Sequence, residues 1–453
     1  MKRTTVFKTA AVLSVASLAL AACSSSSDTT ETPAAESPAA EAPAEAPAEE
    51  APAEEAPAEE APAEEAPAAE AVALDCKIGT MLPQTGNLAF LGPPEFAGVD
   101  LAVQEIEAAG GPLTMANNLP GDSGDTTTDI ASQTADSHIG AGVTAIIGAA
   151  SSGVSLTVID KITGANVIHF SPANTSPELS TYADNGLYFR TAPSDLFQGA
   201  VLGQLMLSDG IEKAAILAMD DSYGIGLADA LDANFTAGGG TVTEKVIYNP
   251  QAAEFSAEVG KVKASKPKAI ALIGFDESLK VVQELIKQGI GPDKVPLFLV
   301  DGNLSSALFK DLPKDIMKGV VGTLPGAAAP EEFQARLLAV DPSLTEFPYA
   351  PESYDAVNLI ALGMVAAGSC DGPAVAAALK DVSSGGEACS DFASCAALLA
   401  EGKDINYEGV SGPVEFDDNG DPSIATMGVY VYEANDKYAP ALDLFVTGEV
   451  PSS

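Results

Sequence analysis

Two hydroxyl-rich loops and an acid with aromatic neighbours are the parts of this chain equipped for chemistry. Ser151-Ser152-Gly153 follows the apolar run that ends at Gly148. Ser171-Pro172-Ala173-Asn174-Thr175-Ser176-Pro177 follows the run Val167–Phe170. Both loops offer hydroxyls and free backbone N–H groups at helix starts, which is how a carboxylate is held. The plainer use of the same Ser and Thr is as helix N-caps. Further along, Asp220-Asp221-Ser222-Tyr223-Gly224, Phe275-Asp276-Glu277 and Asp301-Gly302-Asn303 follow runs ending at Met219, Ile273 and Val300. Aromatic rings and a carboxylate facing an anion-binding half suit a zwitterion, with an acid such as Asp301 taking the ammonium. Asp301 also reads as a helix cap.

Catalytic signatures are missing. Of the two histidines, His138 and His169, the second lies inside the apolar run Val167-Ile168-His169-Phe170 and reads as a core residue. Ser151 lacks the Gly-x-Ser-x-Gly elbow of hydrolases. Gly224-Ile225-Gly226 opens a helix, but Asp229 stands where a dinucleotide fingerprint needs its third glycine. Asp417-Asp418-Asn419-Gly420-Asp421 continues with Pro422 and Gly428 at the places of a calcium loop's Gly and Glu, so it reads as a hairpin turn. The expectation is a binding protein, not an enzyme, with no cofactor and no metal.

These loops need a frame, and the apolar periodicity supplies one. Strands are expected at Lys77–Met81, Thr144–Gly148, Val167–Phe170, Ala214–Met219, Val242–Tyr248, Ala269–Ile273, Leu297–Val300 and Val320–Thr323. Helices are expected at Phe96–Ala109, Tyr223–Thr236, Phe255–Ser265, Glu277–Gln288 and Tyr354–Ala367, with a late strand at Met427–Tyr432. Such alternation predicts an α/β protein with parallel sheets covered on both faces. Ligands of such sheets sit beyond the carboxyl ends of the strands, where the polar loops fall. The rhythm resets near Thr191-Ala192-Pro193, as expected for two doubly wound lobes. The folded part, about 380 residues, also exceeds what one core usually holds.

Before that folded part the chain is of another kind. A basic start (Lys2, Arg3, Lys8) and an apolar stretch to Ala22 fit a secretory signal too short to span a bilayer. Leu20-Ala21-Ala22-Cys23 resembles a bacterial lipobox, which implies lipidation of Cys23 and a membrane tether. From Ser24 to Glu70 the chain carries 13 Glu, one Asp and no Lys or Arg, and Ala-Pro-Ala-Glu-Glu recurs from Ala46 to Glu65. Without branched or aromatic side chains this tract cannot bury enough surface to order itself, and its charges keep it extended. Its reach is on the order of 140 Å.

With those 14 acids and the three basic residues before Cys23 set aside, 50 acidic and 19 basic residues remain, a net charge of −31. A surface of that sign repels nucleic acid and is best screened at high salt. The four remaining cysteines allow three disulfide pairings. Cys389 and Cys395 flank a short acidic segment and are natural partners. Cys76, at the first strand, and Cys370, at a helix end, are placed to meet at one end of a lobe.

From Cys76 to about Glu433 the chain resembles the type I periplasmic-binding-protein family, in its branch of ABC-transporter receptors for branched-chain amino acids. The phrases that carry the resemblance, in order, begin with Leu101-Ala102-Val103-Gln104-Glu105-Ile106 with Ala108-Ala109-Gly110-Gly111. Ala145-Ile146-Ile147-Gly148 with Ser151-Ser152-Gly153 follows, then Ser171-Pro172-Ala173-Asn174-Thr175 and Phe189-Arg190-Thr191. Tyr223-Gly224-x-Gly226, Phe255-Ser256-Ala257, Tyr354-Asp355-Ala356-Val357 and Gly412-Pro413 complete the series.

The resemblance implies two lobes joined by a three-strand hinge. The layout is a signal peptide at 1–22, a lipidated linker at 23–72, lobe 1 at 73–192 and 325–424, and lobe 2 at 193–324 and 425–453. It implies that Ser152 and Thr175, beside Ser151, bind a ligand carboxylate. The carbonyl of Ala173 and the acid Asp301 take the ammonium, while Tyr223 and Phe275 close over the solute. It also implies ABC permease subunits as partners of a monomeric receptor. Three departures bear on selectivity: Phe90 stands beside Leu91, where relatives carry an aromatic, Asn174 replaces a small residue, implying a more polar pocket, and Asp301 is shorter than the Glu of some relatives.

Overall fold

The computed structural model describes residues 74–434 and 437–451, so Cys23 and the acidic tract lie outside the described residues. Two sheets organise the chain. The first, all parallel, contains β1 (Ile78–Met81), β2 (Asn118–Leu119), β3 (Ala145–Gly148), β4 (Ile168–Ser171) and β5 (Tyr188–Arg190), in the order β2-β1-β3-β4-β5. All but β2 are buried along their whole length, as strands covered by helices on both faces must be. The second sheet is parallel through β6 (Lys213–Met219), β7 (Thr241–Tyr248), β8 (Ala269–Ile273), β9 (Leu297–Leu299) and β10 (Val321–Pro325). A short parallel pair, β11 (Glu387–Cys389) and β12 (Ile405–Tyr407), stands apart. The late strand β13 (Ile424–Tyr432) joins the second sheet antiparallel to β10, and β14 (Tyr438–Pro440) and β15 (Val446–Glu449) pair with it in turn.

The expected strands all form, within three residues of their expected ends. Tyr188–Arg190 went unforeseen because three residues ending in Arg carry no period. The helix Asp195–Ser208 escaped because apolar residues surround it on most sides, leaving no amphipathic stripe. His169 is fully buried in β4 against the edge of Tyr188, and burial pushes its imidazole down to about 4, so it is neutral and structural.

The chain passes between the sheets three times: after β5, after β10, and again before β13. Helix Ala350–Ala367 packs on the helix Gly92–Ala108 and on β3 and β4, so the stretch after β10 returns to the first core. The crossings are tied to one another. Gly326 N–H donates to the Thr426 carbonyl (2.8 Å), Ala327 N–H to Ser411 (2.7 Å), and the Thr191 hydroxyl to the Glu352 carbonyl (3.0 Å). Both disulfides, Cys76–Cys370 and Cys389–Cys395, form. The first links residues 294 apart and so joins the start of β1 to the end of helix Ala350–Ala367.

One buried ion pair anchors the first crossing. Arg190, wholly buried, sends Nε and Nη2 to the two oxygens of Asp421 at 2.6 Å each. Its Nη1 donates to the carbonyls of Asn174 (3.3 Å) and Ser176 (2.9 Å). Asp421 is delivered by the turn that begins at Asp417, whose Oδ1 accepts the N–H of Asn419 and of Asp421. The pair thus clamps the loop after β4 to the third crossing. Removing one member leaves the other charge buried without a partner.

Arg190→Met is expected to lower stability by about 3–5 kcal/mol in urea unfolding; a change within error would show that the clamp carries no load. A second prediction concerns pH. Asp221 caps helix Ser222–Ala237 by accepting Gly224 N–H (2.7 Å), yet burial outweighs that bond and raises its carboxyl to about 6. An acid raised on folding binds its proton more tightly in the folded state. Its contribution is therefore complete below about pH 4 and disappears as pH climbs through about 6. The melting temperature should fall across that window, and Asp221→Asn should flatten the fall; equal slopes would refute the assignment.

Candidate functional site

The site is built where β3 and β4 end. Gly148 closes β3 at φ +125°, and a Cβ there would lie 2.0 Å from the Met81 carbonyl, so only glycine fits. The chain then turns into helix Ser152–Gly164. Ser151 is its N-cap, with Oγ accepting Val154 N–H at 3.4 Å. Ser152, one position on, turns its hydroxyl toward the next loop and accepts the N–H groups of Thr175 (3.3 Å) and Ser176 (3.2 Å). Ser171 Oγ donates to the Ala149 carbonyl (2.7 Å) and accepts Ala173 and Asn174 N–H. These bonds join two successive βα loops into one polar platform.

Opposite stands a carboxyl held on three sides. Asp301 follows β9 and is buried. Its Oδ1 accepts from the Tyr223 hydroxyl (2.8 Å) and from Gln198 Nε2 (3.0 Å), and its Oδ2 from the Tyr349 hydroxyl (2.7 Å). Burial raises its carboxyl, and these three donors work against the rise. Tyr223 stacks on Phe275 with centroids 5.4 Å apart, so the ring that reaches Asp301 has its own support. Asn303 fixes the loop beneath by accepting Val300 N–H (3.0 Å) and donating to the Leu272 carbonyl (2.9 Å).

Between platform and acid lies a narrow gap, a cavity of about 10 Å³ lined by Leu88, Leu91, Ala150, Ser152, Ala173, Thr175, Tyr223, Phe275, Asp301, Gly302 and Tyr349. Six of the eight binding residues expected from sequence meet there. The other two do not. Ser151 spends its hydroxyl on the helix cap. Asn174 points its amide back to the carbonyls of Ala149 and Ala150 (2.9 Å each) and accepts the Tyr188 hydroxyl (3.0 Å). Asn174 therefore stiffens the loop and does not make the pocket more polar. Phe90 is absent from the lining as well; Leu88 and Leu91 take that wall.

Tyr349 and Gln198 were not anticipated. Tyr349 sits at φ 59° immediately before helix Ala350–Ala367, in the phrase Phe347-Pro348-Tyr349-Ala350-Pro351. The bracketing prolines are the one sequence signal that marked it. A larger open hollow of about 550 Å³ lies behind Tyr349, lined also by Phe347, Tyr430 and Tyr438. The small gap is the functional candidate, because hydroxyls, amides and an acid converge there and ligand sites pair an apolar lining with a few placed polar groups. Among the described residues, no cluster of three or more ligating side chains offers a metal site.

Known proteins share this architecture. A family model described as "Periplasmic binding protein" matches residues 75–439. The Leu/Ile/Val-binding protein BraC3 of Rhizobium johnstonii is 27% identical over 80% of this chain and 92% of its own length. The chemotactic signal transduction system substrate-binding protein BasB of Halobacterium salinarum is 27% identical over 75% of this chain and 82% of its own. The crystal structure of the branched-chain amino acid transporter substrate-binding protein LivJ of Streptococcus pneumoniae, in complex with isoleucine, superposes with a TM-score of 0.65. It is 21% identical over 83% of this chain and 100% of that one. The chain belongs to the periplasmic binding protein family, with the type I fold: a solute receptor that works outside the cytoplasm and not an enzyme.

Proposed function

We propose that this protein is the lipid-anchored receptor of an ABC importer, which encloses a small α-amino acid, a branched-chain one first, and hands it to membrane permease subunits. One observation carries the reading: a hydroxyl-and-amide platform and a buried acid face each other across a small gap walled by Leu88, Leu91 and Phe275. Ser152 and Thr175 hold the carboxylate. The Thr175 N–H now donated to Ser152 turns to the ligand oxygen, exchanging one hydrogen bond for a charge-assisted one. The Ala173 carbonyl and Asp301 take the ammonium, and Tyr223 and Phe275 cover the aliphatic body.

The three tied crossings are a hinge in this reading, and closure over the solute is the state a permease recognises. Cys23 carries the lipid, and the acidic tract spaces the receptor from the membrane as a monomer. The role in chemotactic signal transduction that BasB is named for favours a second reading in which the closed form is read by a signalling partner instead. Uptake of labelled ligand by cells lacking this chain separates the two: import falls in the first case and persists in the second.

A thermal-shift and calorimetric panel of amino acids, amides, urea and aromatic acids tests the ligand class. Leucine, isoleucine and valine are expected to bind at micromolar strength or tighter. Asp301→Ala and Thr175→Ala should each weaken binding by about 1.5–3 kcal/mol, as removal of one partner from a charged hydrogen bond does. Stabilisation by amides or organic acids with no response to any amino acid would overturn the assignment.

A further inference from the structure

The larger hollow behind Tyr349 has no part in the capture of an amino acid in the gap. At about 550 Å³ it falls within the usual range of small-molecule sites. Its walls come from three segments: Tyr430 and Tyr438 from the paired strands β13 and β14, Phe347 and Glu352 from the return to the first core, and Pro325 and Ala327 from the second crossing. Tyr349 lines hollow and gap alike, and its hydroxyl goes to Asp301 on the gap side.

Two features of these walls fit a cationic guest. Glu352 is 2% exposed, and among the described residues no Lys or Arg pairs with it and no side chain donates to its carboxyl. The second crossing makes room for that carboxyl: Gly326 sits at φ +90°, and a Cβ there would collide with Glu352 Oε1. Burial holds the acid well above its ordinary range, against the pull of its own backbone N–H, and a cation beside it favours the ionised form. Lys310 and Lys437 line the hollow too, but both are exposed, so water meets their charge. The uncompensated group is the inner acid.

The second feature is aromatic. Tyr430 is 8% exposed, and the ring of Tyr438 stands edge-on to it with centroids 5.5 Å apart. Among the described residues no group hydrogen-bonds either hydroxyl, although a buried tyrosine hydroxyl ordinarily finds a partner. Aromatic rings grouped with an acid are the chemistry that holds an alkylated ammonium: the rings attract its diffuse charge, and apolar walls take its body.

We infer that this hollow is a second solute site, which takes an organic ammonium compound with an apolar body, with Glu352 as its counter-charge and Phe347, Tyr430 and Tyr438 as its walls. The site is separate from the gap and does not depend on what the gap holds. An anion of the same shape is disfavoured, because it would lie against the buried acid.

Calorimetry and thermal shift of the whole chain with benzyltrimethylammonium, and with benzoate as the anion of similar body, test this. The wild type should bind the ammonium and not benzoate in this hollow. Glu352→Gln should weaken ammonium binding about tenfold or more, and Tyr438→Leu about fivefold. Neither variant should change the response to L-leucine. Asp301→Ala, which alters the gap alone, should bind the ammonium as the wild type does. If Glu352→Gln misfolds, Tyr438→Leu carries the test. The inference is overturned by the absence of any ammonium binding, or by equal binding in wild type, Glu352→Gln and Tyr438→Leu. Loss of ammonium binding in Asp301→Ala also overturns it, since that result puts the cation in the gap. So does benzoate binding that Tyr438→Leu weakens.

Discussion

A carboxyl buried where two lobes meet is the constraint on which this molecule turns. Asp301 is buried, so its charge must be met by donors from protein or solute. Three elements answer: Gln198 from the helix after the first crossing, Tyr223 from the turn after β6, and Tyr349 from the segment that follows the second crossing. These residues lie far apart in sequence, so bringing them to one acid locks together segments that would otherwise slide. The acid is therefore a structural keystone and a chemical group at once.

The opposite wall is organised by another logic. There the polar groups come from the backbone, and the side chains mostly hold loops in shape. Ser151, Ser171 and Asn174 satisfy buried N–H and C=O groups, so the platform keeps its form in a dry setting where unsatisfied amides are costly. Ser152 and Thr175 are left facing the gap. The clamp of Arg190 on Asp421 braces the loop from below and ties it to the third crossing.

Charge runs through both walls. The chain is strongly acidic, with a formal net charge of −42, and several of its acids are buried. Glu95, whose oxygens also lack hydrogen-bond partners, is raised by burial and then by Glu352. Like acids brought together in a low-dielectric interior favour protonation or the arrival of a cation.

What the amino-acid order determined by itself was the local grammar: apolar runs as strands, caps and glycines as helix ends, and polar residues falling just past the strands. Ser152, Ala173, Thr175, Tyr223, Phe275 and Asp301 were legible for that reason, since the ends of parallel strands converge in any sheet of this class. The pairs Cys76–Cys370 and Cys389–Cys395 were legible from their places on the elements. Tertiary structure alone decided which way each polar side chain faces. Ser151 and Asn174 have the right chemistry and neighbours, yet their hydrogen bonds draw them away from the gap. Tyr349 enters it from a remote segment, and Gln198 reaches Asp301 from another. Spacing along a chain describes neighbours one turn away; only folding brings together groups more than a hundred residues apart.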